Sequence, residues 1–447
     1  MKYFRMNYPI IIVLSVTLAG VCYLLLRNPS ALIACYIVAV PVIPPVPIGP
    51  IEVTVLDLLA VPAVVLIIHR VFAVDRTIRG YFPSGLVIYV LFGAISFISF
   101  TMQQRLFSLS IFLRLIRLIE MTLPVILVSQ MPKTIKKDHI LALFLIGGGL
   151  AAAAGIVLFS TGISMRESQT FAAMGEIIFR AAGTHGDSGS FGNLMGLVSL
   201  TAIWALIHAS FFPARLLNRR LMALTVVSGV LALAGLMLSL SRGGIVLLFI
   251  GFAVLLAPLL RRPGKLLRIS IIALIVISSG VGLVWIQAQN IPAARVLNAL
   301  GDRLSSLTGI RSDLGALSSY RTDFWAEAWG IFKSAPEAWP FGLGYKSLRL
   351  FYDLPPDNNF FSALFEMGFF GLVSLILMIV LGFKAGFRRL KSNQAGAILI
   401  LALWVGLTSN MVTADVLTYW HNIPGLFILL TVFADSEEPA IAISGHE

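Results

Sequence analysis

The chain has 447 residues, of which 58% are hydrophobic and only 12% charged, against roughly 25% charged in soluble domains. So few charges cannot cover an apolar interior with polar surface, which excludes a water-soluble multidomain protein and places the chain in lipid. The net charge of +12 then suggests cytoplasmic loops facing anionic lipid rather than nucleic acid. The two cysteines, Cys22 and Cys35, exclude a disulfide scaffold or a CxxC-type zinc site.

A bilayer-crossing helix needs about 20 apolar residues, fewer inside a bundle. In chain order the candidates are Pro9–Leu26, Ala31–Ile43, Val53–Ile68, Pro83–Phe100, Phe107–Val128, Ile140–Leu158, Phe191–Phe212, Leu221–Leu240, Gly244–Leu260, Ile269–Gln287, Phe360–Phe383, Ala395–Val412 and a short Ile423–Phe433. The expectation is an all-α polytopic membrane protein with 12 or 13 transmembrane helices, one integral membrane domain over residues 1–447. Pro9–Leu26 lacks a small-residue cleavage site, so it reads as a span and not a cleaved signal. Pro44, Pro45, Pro47 and Pro50 interrupt the first segments, which leaves the N-terminal sidedness open.

Every second connection from Arg70 onward is basic. Arg70, Arg76 and Arg79 are followed by Lys133, Lys136 and Lys137, then Arg215, Arg219 and Arg220. Arg261, Arg262, Lys265 and Arg268 come next, then Lys384, Arg388, Arg389 and Lys391. That is 17 positive residues, against 4 in the three intervening connections between Phe100 and Gly244. The positive-inside rule puts the basic set in the cytoplasm. Two long connections, roughly 159–190 and 288–359, then face outward, the second being a large periplasmic loop inserted in the domain.

The outer loops hold the unusual polar residues. Arg180 precedes the Gly/Ser-rich stretch Gly183–Asn193, which contains His185. Arg242 lies in Ser241-Arg242-Gly243-Gly244 between two spans. Arg321 opens a segment whose Trp325, Trp329 and Phe332 share one helix face, suited to a membrane–water interface. An arginine at membrane depth is costly unless an anion answers it, and its planar fork matches phosphate oxygens. The bland alternative for each is a headgroup anchor or a carboxylate partner. Asp357-Asn358 stands just before a long span, where Asp-Asn is most often a cap. Glu366, two turns into that span, calls for a partner.

The order of these pieces resembles the O-antigen ligase/polymerase family. Gly183–Asn193, Ser241–Gly244, Arg321 with Trp325, Pro340-Phe-Gly342-Leu-Gly344, and Asp357-Asn358 followed by Gly368-Phe-Phe-Gly371 carry the resemblance, which spans roughly Arg180 to Val412. It implies a bacterial inner-membrane glycosyltransferase with its active site facing the periplasm. Its donor would be an undecaprenyl-diphosphate-linked glycan, its acceptor a glycan hydroxyl. The family pattern is His-Asn, nine residues, then Gly-x-x-Gly; here Asp357 stands where ligases carry His, which favours a polysaccharide polymerase over a ligase.

The resemblance implies diphosphate binding by Arg242 and Arg321, with Arg180 as a third position, and an acceptor site at Asp357 and Asn358. His421 and His185 are reserve bases. No cofactor is expected, and no metal, because no cluster of the Mg²⁺-holding kind stands out. Membrane lipids and a chain-length regulator are the expected partners. The rival class is a transporter or lipid flippase, which would place its polar site near the midplane on broken helices.

Overall fold

The computed structural model describes residues 20–48, 51–74, 80–104, 107–131, 136–163, 170–173, 176–211, 219–258, 321–354, 356–391 and 394–435. The expected span Ile269–Gln287, most of Pro9–Leu26 and residues 288–320 of the outer loop lie outside them. Each of the eleven other expected spans falls on a helix.

The described helices are, in order, α1 (Gly20–Arg27) and α2 (Pro29–Val42), then α3 (Val55–Val74), α4 (Tyr81–Gln104), α5 (Leu109–Ser129), α6 (Lys137–Ser160), α7 (Ser188–Phe211), α8 (Arg219–Ser239) and α9 (Arg242–Leu256). After the outer loop come α10 (Arg321–Ser334), the short α11 (Ser347–Phe351), α12 (Asn359–Arg389), α13 (Gln394–Met411) and α14 (Ile423–Asp435). The strands among the described residues form two small antiparallel hairpins, Val46–Ile48 with Ile51–Val53 and Thr170–Ala173 with Glu176–Phe179. The chain is an all-α polytopic membrane protein.

Among the described residues seven helices are long and apolar enough to cross a membrane, or up to eight if the α1–α2 pair, bent by 115° at the break between them, is one span. Helices α9 and α14 are shorter, and α5 carries Arg114, Arg117 and Glu120. The apolar window of α7 is wholly buried, whereas α3 has only 22% of its window buried. In lipid this is the ordinary arrangement: a central helix packed on all sides and a peripheral one turning its apolar residues to the bilayer.

The ends of the helices are sorted. Arg388 donates to the Tyr81 hydroxyl at 3.0 Å and Arg389 to the Ala434 carbonyl at 2.5 Å, so the end of α12, the start of α4 and the end of α14 share one basic end. At the opposite end Arg117 pairs with Asp57 at 3.2 Å, joining the starts of α5 and α3. There too Arg180 donates to the Ser239 carbonyl at 2.9 Å, and Asn358 to the Val412 carbonyl at 2.7 Å. The alternation of basic connections along the sequence is thus an alternation of bundle ends.

Small residues draw α7 and α9 together at that second end. A Cβ on Gly192 would sit 2.2 Å from the Ser241 Cβ, and one on Gly244 2.3 Å from the Gly192 carbonyl oxygen. Such close approach is the usual use of small residues between membrane helices.

Gly368 does something different from the helix packing its Gly-x-x-Gly spacing suggests. It breaks α12 at φ 72° and ψ −168°, and the loop Trp339–Gly344 fills the break. The amides of Leu343 and Gly344 donate to the Phe365 and Glu366 carbonyls at 2.8 and 3.1 Å; the amides of Phe369 and Phe370 donate to Trp339 and Pro340 at 2.8 and 3.2 Å. Backbone groups freed inside a membrane protein must be satisfied internally, and this exchange does so. Ser96 adds a bond to the Glu366 carbonyl at 2.6 Å.

The break makes a test. Gly342 has φ 83° and Gly368 φ 72°, and an added Cβ would lie 2.3 Å from the Glu366 carbonyl and 2.4 Å from the Pro340 oxygen, respectively. Alanine at either position adds about 1–2 kcal/mol for the left-handed backbone, besides forcing backbone apart. Gly342→Ala and Gly368→Ala should lower the melting temperature and folded yield in detergent. Gly330→Ala, in α10 with nothing near its Cβ, should leave both equal or slightly raised, by up to about 1 kcal/mol. Unchanged melting of Gly368→Ala would contradict the broken helix.

Candidate functional site at the rim of the bundle

The end opposite the Arg388–Arg389 end gathers all three arginines expected from the sequence. Arg180, in the loop before α7, is half-buried and anchored on the end of α8 through Ser239. Burial pulls its pKa down from the ordinary value; the nearby Asp187 opposes that shift and Arg242 adds to it. Arg242 is the first residue of α9, whose start is capped by Ser241, its Oγ accepting from the Gly244 amide at 3.3 Å. Arg242 in turn feels the charge of Arg321. Arg242 is therefore within electrostatic reach of both Arg180 and Arg321, in a patch that includes the starts of α9 and α10. Helix starts carry partial positive charge that favours an anion.

Arg321 opens α10. Its guanidinium donates to the Thr413 carbonyl, just beyond α13, and pairs through Nε with Asp357 Oδ2 at 3.3 Å. The sequence did not reveal that pairing, which joins the candidate diphosphate ligand to the candidate base. Asp357 has φ 41°, a left-handed conformation that costs about 1–3 kcal/mol for a residue other than glycine. Its side chain is 44% exposed. Burial raises its pKa above the usual carboxylate value, Arg321 opposes the rise, and Asp415 adds to it.

Asn358 is the cap of α12. Its Oδ1 accepts from the Phe360 and Phe361 amides at 2.8 and 3.1 Å while its Nδ2 donates to Val412. With both ends of the amide occupied, its place in the site is to hold the Asp357 turn in register with the end of α13.

Helix α10 lies against this turn. Ala328 and Phe332 pack with Leu348, Leu354 and Phe365, and the Trp325 indole donates to the Pro356 carbonyl at 2.6 Å. Trp329 stays half exposed. The apolar face expected from the spacing is thus docked on the bundle, and it sets where Arg321 projects.

The two histidines come together too, but in the interior. His185 and His421 stack with centroids 4.0 Å apart and planes within 9°, each only 7% exposed. Ser190 Oγ bonds His421 Nε2, and Thr184 Oγ1 lies 3.1 Å from His185 Nδ1. The Trp420 ring stands edge-on to both, and the guanidinium of Arg117 lies over it at 4.8 Å. Both histidines line a small cavity with Phe191 and Leu194.

Sequence reasoning missed Lys346, Asn359 and Asp415. The buried Lys346 pairs with Asp415 and, at 3.4 Å, with Glu366, so the partner that Glu366 called for comes from the outer loop. No local pattern marks these residues; only the chain's return at Asp415 brings them together.

Residues 227–376 match the family model described as O-antigen ligase. The matched stretch contains Arg242, Arg321, Asp357 and Asn358; Arg180, His185 and His421 lie outside it. No curated protein matches the chain. Over the segment that supplies Arg242, Arg321 and the Asp357 turn, this polytopic membrane protein is thus similar to the O-antigen ligase family.

Proposed function

We propose that the protein is a metal-independent glycosyltransferase of the polysaccharide polymerase kind. It moves a glycan from undecaprenyl diphosphate to an acceptor sugar hydroxyl on the periplasmic face of the bacterial inner membrane. The observation that carries this reading is the convergence of Arg180, Arg242 and Arg321 on one end of the bundle, with Asp357 paired to Arg321. The acceptor oxygen attacks the anomeric carbon, the bond from that carbon to the diphosphate breaks, and negative charge grows on the leaving diphosphate. Fixed cations aimed at that charge stabilise the transition state.

Asp357 takes or orients the acceptor proton. The incoming diphosphate competes with it for Arg321, so donor binding itself releases the carboxylate. Its partial burial suits this role, because a base whose pKa approaches the working pH accepts a proton more readily. His421 and His185 are less suited: each is buried, and their rings cover one another. Asp at the position where ligases carry His favours the polymerase over the ligase, and a chain-length regulator fits as partner.

Two experiments test this reading. Purified protein in proteoliposomes, given only an undecaprenyl-diphosphate-linked repeat unit, should produce a ladder of longer lipid-linked chains. Product formed only when lipid A core is supplied would make it a ligase. Reporter fusions after Arg220 and Lys391 should read cytoplasmic, and one near Asp313 periplasmic. A cytoplasmic reading at Asp313 would put the arginines on the wrong side of the membrane for this donor.

A further inference from the structure

Beneath the Asp357 turn, three segments are tied by buried charge. Lys346, ahead of α11, is 5% exposed and has φ 61°, a backbone that is unfavourable for lysine. Its Nζ donates to Ser362 Oγ at 2.9 Å and pairs with Asp415 and Glu366. Ser362 Oγ also donates to Glu366 Oε2 at 2.5 Å. On the other side of Asp415, Oδ1 accepts from Asn359 Nδ2 at 2.7 Å, and Asn359 Oδ1 accepts from the Val416 amide at 2.7 Å.

Burying a lysine with two carboxylates is a poor way to gain stability, since well-packed apolar residues do as well or better. Its geometric effect is specific. The network sets the start of α12 against the segment 412–416 that follows α13. Arg321 lies across the same two pieces of chain: it donates to Thr413 in that segment and pairs with Asp357 just before α12. Asn358 bridges them again through Val412. The fork that aims Arg321 is therefore only as well defined as the joint that Lys346 and Asp415 make.

We propose that Lys346 is a positioning residue for the glycosyl transfer: through Asp415 it fixes the Val412–Val416 segment, whose Thr413 carbonyl holds Arg321 toward the donor diphosphate. This rests on the function proposed above. Misplacing a reacting group by about 1 Å costs on the order of a hundredfold in rate, so Lys346→Met should lower kcat/KM for the lipid-linked donor by about that factor.

The deciding measurement is a cycle of Lys346→Met, Arg321→Ala and the double variant in the reconstituted transfer assay, with melting temperatures measured alongside. If Lys346 acts through Arg321, the double variant is little worse than Arg321→Ala alone. If the two losses multiply, or if folded Lys346→Met keeps wild-type kcat/KM, the proposal is overturned. Should Lys346→Met fail to fold because two carboxylates are left unpaired, Lys346→Met with Asp415→Asn and Glu366→Gln removes all three charges. That folded variant should still be slow, and normal turnover from it overturns the proposal. An Arg321→Ala variant with normal turnover would instead count against the function itself, so the two failures are distinguishable.

Discussion

Arg321→Ala and Arg242→Lys, at equal expression and membrane insertion, should each lose most of their polymer. Arg242→Lys keeps the charge but loses the planar fork that reaches two phosphate oxygens at once. Removing one fixed donor from a developing oxyanion typically lowers kcat by about 10²–10³, and a diphosphate leaving group is the same electrostatic problem with more charge. Arg321→Ala has a second consequence. It leaves Asp357 without its ion-pair partner, so its pKa should rise further and the acid limb of the pH profile should move to higher pH. Arg180→Ala should be milder, because Arg180 is already committed to the Ser239 carbonyl. Polymer length distribution and initial rate, measured on purified variants, check all three. Near-normal rates from Arg242→Lys or Arg321→Ala would remove that arginine from the site.

Asp357→Asn should lower turnover by about 10²–10⁴, the usual contribution of a general base, while donor affinity holds or improves. The improvement follows from the ion pair: with the carboxylate gone, its negative charge no longer competes with the diphosphate for Arg321. A fall in kcat without a rise in donor KM is therefore the expected signature. The pH dependence has a definite sign. Because burial raises the Asp357 pKa, the wild-type rate should fall on acidification at a pH above the ordinary aspartate value of about 3.9, and Asp357→Asn should lack that limb. Asp357→His should recover part of the rate. Full turnover from Asp357→Asn would reduce Asp357 to a counter-ion for Arg321. His421→Ala would then be the next variant to assay.

The membrane helices were legible in the sequence because their signal is local. A run of apolar residues bounded by charges needs no knowledge of its neighbours, and every expected span within the described residues lies on a helix. The sorting of helix ends was legible for the same reason, through Lys and Arg in alternate connections. The Asn358 cap also follows from local chemistry. What escaped depends on chain segments far apart in sequence. Gly368 and Gly371 look like a helix-packing pattern, yet Gly368 breaks the helix because Trp339–Gly344 returns to fill the gap. Lys346 and Asp415 are separated by 69 residues, and no spacing rule links them. The three arginines were recognisable from their type and side; their company was not. The Asp357–Arg321 pair joins two residues assigned separate tasks, and that changes the proposed mechanism: the proposed base is held in reserve by the arginine proposed to bind the donor.

Whether the arginine patch receives a lipid-linked diphosphate can be tested by ligand-dependent unfolding, without requiring turnover. A ligand at 100 times its dissociation constant stabilises the folded state by about 2.7 kcal/mol. Melting of the detergent-solubilised protein should rise with undecaprenyl diphosphate and stay unchanged with undecaprenol, which has the same chain and no phosphate. The rise should be absent in Arg242→Ala/Arg321→Ala, whose melting without ligand should lie close to that of the wild type. An equal rise with undecaprenol, or an undiminished rise in the double variant, would contradict the account.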